Sequence, residues 1–170
     1  FAEHEIDVDQ PWVRKPMAEF VKEETGLDFM SIDSDEEAKK AAEGIGLEIE
    51  DHMKWGHILA FVFEERVEHK LIQPTHVTDF PVEVSPLAKQ HRDDPRLVER
   101  FESYINGWEL ANAFTELNDP TIQYDRFLDQ VKAAEAGDEE AQMLDEDYVT
   151  ALEYGQIGRA SCRERVSTSV

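Results

Sequence analysis

The segment Gly107-Trp-Glu-Leu-Ala-Asn-Ala-Phe-Thr-Glu-Leu-Asn-Asp119 sets two carboxylates and an amide, Glu109, Glu116 and Asn112, among small and apolar residues. A carboxylate in such a run is costly to bury unless a cation meets it. No Lys or Arg occurs between Ile105 and Tyr124. The chemistry this suits is capture of a metal ion, of an ammonium group, or of both. Hard oxygen ligands suit Mg²⁺, which takes one or two carboxylates together with substrate phosphates.

Residues two apart on a flat strand share a face. Asn112, Phe114 and Glu116 then point one way, and Ala111, Ala113 and Thr115 the other. The first row is an amide, a ring and a carboxylate: a pocket wall with one apolar surface and two polar handles. Glu109 is an odd number of residues from Glu116, so an ideal strand puts it on the opposite face. The two acids share one ion only if a bulge or a strong twist intervenes. Spacing alone leaves open a plainer reading, with Glu109 at an exposed strand end and Glu116 capping the following turn.

The elements around this run follow from local signals. Asn106-Gly107 is a strong hairpin signal and predicts two strands, one over Phe101–Ile105 and one from Glu109 to about Leu117. Asp119-Pro120 is a helix start, with a capping acid and Pro at the first helical position, and Gly137 ends that helix. Asp138 to Tyr154 reads as another helix. Upstream, Met17–Thr25 reads as a short helix stopped by Gly26, and Asp33 or Ser34 caps a second through about Glu43. The longest helical pattern runs from His52 to Lys70, with Trp55, Ile58, Leu59, Val62, Phe63 and Val67 on one buried face. Leu71–Ala88, broken by Pro74, Pro81 and Pro86, reads as extended chain with turns. Alternation over Glu5–Asp9 predicts a one-sided strand. Glu83 interrupts an apolar strand pattern; lining the pocket and pairing with a base are both open.

The 170 residues carry a net charge of −22, from 39 acids and 17 bases. That balance argues against a simple electrostatic grip on nucleic acid by this segment, which needs cations opposite phosphates. The single cysteine, Cys162, rules out an internal disulfide and fits a reducing, cytoplasmic compartment. No apolar run is long enough for a membrane span. The start lacks a signal-peptide pattern and an initiator Met, so the chain is expected to begin inside a longer protein. Residues 156–170 hold three arginines and one acid, and they look like the translation of a sequencing-adapter oligonucleotide. The native chain is expected to end near Gly155. The six histidines are scattered, and no zinc site is expected from them.

Longer stretches carry a family resemblance. Leu71-Ile-Gln-Pro-Thr-His-Val-Thr-Asp-Phe-Pro-Val-Glu-Val-Ser-Pro-Leu-Ala-Lys89, Arg100-Phe-Glu, Asn106 through Pro120 and Asp145-Glu-Asp-Tyr-Val-Thr-Ala-Leu-Glu-Tyr-Gly155 together resemble class II lysyl-tRNA synthetases. The resemblance covers about residues 5–155. It implies an α+β fold, part of the class II antiparallel sheet, with a helical insertion over about 11–70 and sheet and helices over 71–155. It implies that Glu109 and Glu116 bind Mg²⁺ bridging ATP phosphates, and that Asn112, Phe114 and Glu116 surround the lysine substrate. A lysine pocket needs an anion for the ammonium and an apolar wall for the methylene stem.

The implied activity of the parent is ATP-dependent activation of lysine and its transfer to tRNA(Lys), by a homodimer. The alternatives are a paralogue that lysylates a protein, and a non-catalytic fragment or binding module. This sequence lacks the family's first and second signature motifs, including the arginine that grips the α-phosphate, and its anticodon-binding domain. Gln156-Ile-Gly-Arg159 stands where the third motif is due, and Arg159 is assigned no role.

Overall fold

A computed structural model of the chain describes residues 4–137 and 141–155. The expectations placed on residues 156–170, with Arg159 and Cys162, and on the start of a helix at Asp138 lie outside the described residues. The chain divides into two compact units: Phe1–Ser85 with Gln90–Phe114, and Pro86–Lys89 with Thr115–Val170.

The first unit joins three helices to a four-stranded sheet. β1 (Val13–Pro16), β2 (Thr75–Thr78), β3 (Arg100–Ile105) and β4 (Trp108–Phe114) lie in that order across the sheet. β2, β3 and β4 are antiparallel, as the sequence predicts, and β1 adds in parallel to β2. The expected strand at Glu5–Asp9 is not formed. Alternation there reports only residue type; the chain pairs a few residues later, where Val13 meets Thr75.

α1 (Met17–Thr25) buries Met17, Ala18, Phe20 and Val21, and Gly26 ends it at a positive φ of 78°. α2 (Asp35–Gly44) is capped by the Ser34 hydroxyl, which accepts from the Glu37 N–H at 3.2 Å. α3 (Trp55–Arg66) is the buried element predicted within His52–Lys70; a separate 3-10 turn, Glu68–Lys70, follows it. Ile58, Leu59 and Val62 are fully buried. Trp55 packs edge-on against Phe29 and its Nε1–H donates to the Phe29 carbonyl. Phe63 meets Tyr104 of β3 at 6.0 Å between ring centroids, which ties α3 to the sheet.

The β3–β4 hairpin turns at Asn106-Gly107, with φ of 57° and 72°. Two successive positive φ angles are what a type I′ turn requires, and Asn-Gly accepts them at little cost.

In the second unit, α4 (Pro120–Glu135) starts as predicted, with Asp119 Oδ1 accepting from the N–H groups of Thr121 and Ile122. α5 (Glu146–Glu153) is shorter than the helix predicted from Asp138. Asp145 caps it by accepting from the Tyr148 N–H at 2.8 Å, and the five residues before Glu146 are not helical. Phe127 of α4 and Tyr148, Val149 and Leu152 of α5 form the core, with Leu87 and Leu144 against it. The segments on either side of Ala88 and Glu116 pair through Lys89 N–H to Thr115 and Leu117 N–H to Leu87. Gln123 and Arg126 of α4 donate to the carbonyls of Pro86 and Ala88.

Candidate functional site

β4 ends at Phe114, not at Leu117, so the predicted site residues fall in two places. Glu109, Asn112 and Phe114 belong to the first unit, and Glu116 to the second, where it bridges Ala88 and is half-buried.

Within the first unit the parity problem at Glu109 is resolved by the register. Arg100 pairs with Phe114, Glu102 with Asn112 and Ser103 with Ala111, but Tyr104 pairs with Glu109. Leu110 is therefore an extra residue, a β-bulge, on β4. Cross-strand partners share a face. Arg100, Glu102 and Tyr104 thus line one face with Phe114, Asn112 and Glu109. The bulge turns an odd spacing into a shared surface.

This face has a buried electrostatic centre. Glu102 is 5% exposed. One of its oxygens accepts from Arg100 Nη2 and the other from the Tyr104 hydroxyl. Arg100 also donates through Nη1 to the Val84 carbonyl at 3.0 Å and the Ser85 hydroxyl at 2.8 Å, and through Nε to Asn112 Oδ1 at 3.2 Å. Its guanidinium lies over the Phe80 ring, 4.6 Å from the centroid. One arginine therefore orients both an acid and an amide of the face.

The carboxylates feel one another. Burial pushes the Glu102 carboxyl above its usual range; Tyr104 and Arg100 oppose that, and Glu109 adds to it. Glu68, in the turn after α3, is raised by burial and then by the charges of Glu102 and Glu109. Tyr104 is raised by burial and by donating to Glu102, and stays a donor. Glu68 and Glu102 are thus both raised beside a fixed arginine, and an added cation would offset the part of this that comes from charge repulsion.

Among the described residues no group of three or more His, Cys, Asp or Glu side chains is arranged to hold a metal on its own. Two carboxylates on one face fit a hard divalent ion whose remaining ligands come from water or substrate oxygens.

Glu102, Arg100, Tyr104 and Glu68 gain their place at the site from the structure. Counting back from the Asn106-Gly107 turn puts Tyr104 opposite Glu109, which is a usable signal. The bulge that brings Glu102 opposite Asn112 leaves no such mark. Glu83 turns out to sit at the first turn of α3, where its carboxylate oxygen comes within 2.0 Å of where a Cβ on Gly56 would stand.

These features define an α+β chain with a mixed sheet, one face of which carries the acidic candidate site. Residues 2–163 match the family of class II tRNA synthetases for D, K and N, and the chain belongs to that family. It is 60% identical over 153 residues to a lysine–tRNA ligase of Pelotomaculum thermopropionicum, an alignment covering 89% of this chain and 30% of the relative. It is 54% identical over 151 residues to a lysine–tRNA ligase of Thermoanaerobacter pseudethanolicus, with 89% and 30% covered. A lysine–tRNA ligase of Sinorhizobium medicae is 50% identical over 155 residues, with 91% and 31% covered. The chain thus spans about 30% of the length of these curated relatives. No helix among the described residues is long and apolar enough to cross a membrane.

Proposed function

We propose that this chain is part of a lysine–tRNA ligase and carries the acidic wall of its lysine- and ATP-binding site. The observation that carries the reading is the bulge at Leu110, which sets Glu109 on one face with Asn112, Phe114 and Glu102. The identity to lysine–tRNA ligases supports the amino acid.

In the proposed reaction a lysine carboxylate oxygen attacks the α-phosphorus of ATP. The bond to the β-phosphate breaks and pyrophosphate leaves, giving lysyl-adenylate. A terminal ribose hydroxyl of tRNA(Lys) then attacks the lysyl carbonyl and AMP leaves. The work asked of the protein is positioning and charge neutralisation.

Glu109, with Glu102 on the same face, and Glu116 are the residues that would hold Mg²⁺, which when bound offsets phosphate charge. Phe114 offers a ring to the methylene stem of lysine, and Asn112 an amide oriented by Arg100. Glu116 is the proposed counter-charge for the ε-ammonium. Arg100 aims Glu102 and opposes the upward push of burial on its carboxyl, with its own donors engaged on four acceptors. The homodimer and the cytoplasmic setting belong to the same proposal.

The test is a full-length Pelotomaculum ligase whose own segment is replaced by residues 5–155 of this chain. Lysine-dependent pyrophosphate exchange is expected to survive the replacement, and Glu109→Gln in it to lower exchange by about a hundredfold or more. Exchange with full activity in the Glu109→Gln chimera would remove Glu109 from the site.

A further inference from the structure

Glu83 lies in Phe80-Pro-Val-Glu-Val-Ser85, the stretch that reaches Arg100. The first half of that stretch is held by backbone pairing: Val98 N–H donates to Phe80 and Val82 N–H to Arg96. Its second half presents the Val84 carbonyl and Ser85 hydroxyl to the Arg100 guanidinium. Between the two halves stands Glu83.

Its carboxylate is packed on α3 where only glycine fits. An ideal Cβ on Gly56 would stand 2.0 Å from Glu83 Oε2, and 2.6 Å from both Glu83 Cδ and Pro81 Cβ. The first turn of a helix has N–H groups without intrahelical partners and a positive end of the dipole. The Gly56 N–H and the N–H of Glu83 itself act on this carboxylate. The neighbouring Trp55 N–H is taken by Asp35 Oδ1 at 2.6 Å. Two carboxylates from distant parts of the chain therefore close the start of α3.

We infer that Glu83 is a positioning residue for the candidate site: by fixing its carboxylate on the first turn of α3, it sets the height at which Val84 and Ser85 meet Arg100. Arg100 in turn orients Glu102 and Asn112. The start of α3 and the acidic face are thus linked by one side chain. The relevance of this link to catalysis rests on the function proposed above; the link itself does not.

Exchange of the Arg100 Nε proton with solvent tests the link, measured by nitrogen-15 NMR on this chain without lysine, ATP or metal. The signal is identified by its loss in Arg100→Lys. The amide of Val62, buried at the centre of α3, reports opening of the whole unit. Glu83→Ala is expected to speed Arg100 Nε exchange roughly tenfold or more while Val62 stays within about twofold. Glu83→Gln, which keeps an oxygen for Gly56, is expected to restore most of the protection. If Glu83→Ala does not fold, Glu83→Asp, one methylene short of Gly56, makes the same comparison. Arg100 exchange unchanged in the folded variant, or Arg100 and Val62 accelerating together, overturns the positioning role. Loss of pyrophosphate exchange in the chimeric ligase would overturn the functional reading and leave this result standing.

Discussion

Glu102 stands opposite Asn112 across the β3–β4 hairpin, whereas a regular ladder counted from the Asn106-Gly107 turn would set it opposite Ala111. The difference is the single residue Leu110, whose side chain is 56% exposed. Deleting Leu110 removes the irregularity without changing which residues face each other on either side of it. Cross-strand NOEs between Tyr104 and Glu109 and between Glu102 and Asn112 are expected to survive the deletion. Inserting an alanine after Leu110 is expected to abolish one of the two sets.

Tyr104→Phe keeps the ring against Phe63 and removes only the donor to Glu102. The carboxylate is then left buried with one partner fewer. The expected loss is about 1–3 kcal/mol in chemical denaturation. A loss below about 0.5 kcal/mol would mean that the hydroxyl contributes little to holding Glu102.

Two helical glycines are expected to respond in opposite directions. A Cβ on Gly44 meets open space, and Gly44→Ala should leave stability unchanged or raise it by up to about 1 kcal/mol. A Cβ on Gly56 meets Glu83 and Pro81, so Gly56→Ala should cost about 1–3 kcal/mol. Thermal melts of the two variants side by side decide the matter, and equal effects would contradict the packing at α3.

Burial raises the carboxyls of Glu68 and Glu83 above the usual Glu value of 4.5. The folded state then binds more protons than the unfolded state between that value and the raised ones. Stability should therefore increase as pH falls from 7 into this window. Asp94 works the other way: its pair with Arg96 lowers it below 3.8, and its contribution is lost only as pH falls through the lowered value. The melting temperature is expected to peak at mildly acid pH. Glu68→Gln should raise the melting temperature at pH 7 and flatten the slope; an unchanged slope would refute the repulsion from Glu102 and Glu109.

The chain by itself is expected to show no lysine-dependent pyrophosphate exchange. Among the described residues Arg100 is the one arginine on the acidic face, and four of its five N–H donors are engaged on Glu102, Asn112, Val84 and Ser85, which leaves a single Nη2–H for a phosphate. Exchange above background from the purified chain would contradict this.

Much of the fold could be read in the sequence because its signals are local. Ser34, Asp119 and Pro120 mark helix starts by chemistry confined to one turn. Asn106-Gly107 marks a hairpin by its tolerance of positive φ. The three-four spacing from Trp55 to Phe63 marks a buried helix. What escaped is set by partners far along the chain. Val13–Pro16 becomes a strand only because β2 lies beside it. Leu110 becomes a bulge through its pairing with β3, and Glu83 finds its place on a helix that begins 28 residues earlier. The candidate residues Glu109, Asn112 and Phe114 were legible as types. The shared face of Asn112 and Phe114 followed from their spacing; that Glu109 joins it did not, because its parity depends on the bulge. Glu102 was visible only as part of a resemblance, since an acid in an Arg-Phe-Glu triplet has no local signature.

β4 is the last strand of the sheet among the described residues, and all seven of its side chains are exposed, Trp108 by 57%. Such an edge is a template on which another extended chain can form a ladder. What stands against self-pairing is the net charge of −22, a repulsion that acts over about 10 Å at 0.1 M salt and about 3 Å at 1 M. Colloidal behaviour should therefore invert the usual expectation for surface charge: monomeric in dilute buffer, the chain associates as salt is added, and light scattering against ionic strength would trace the crossover.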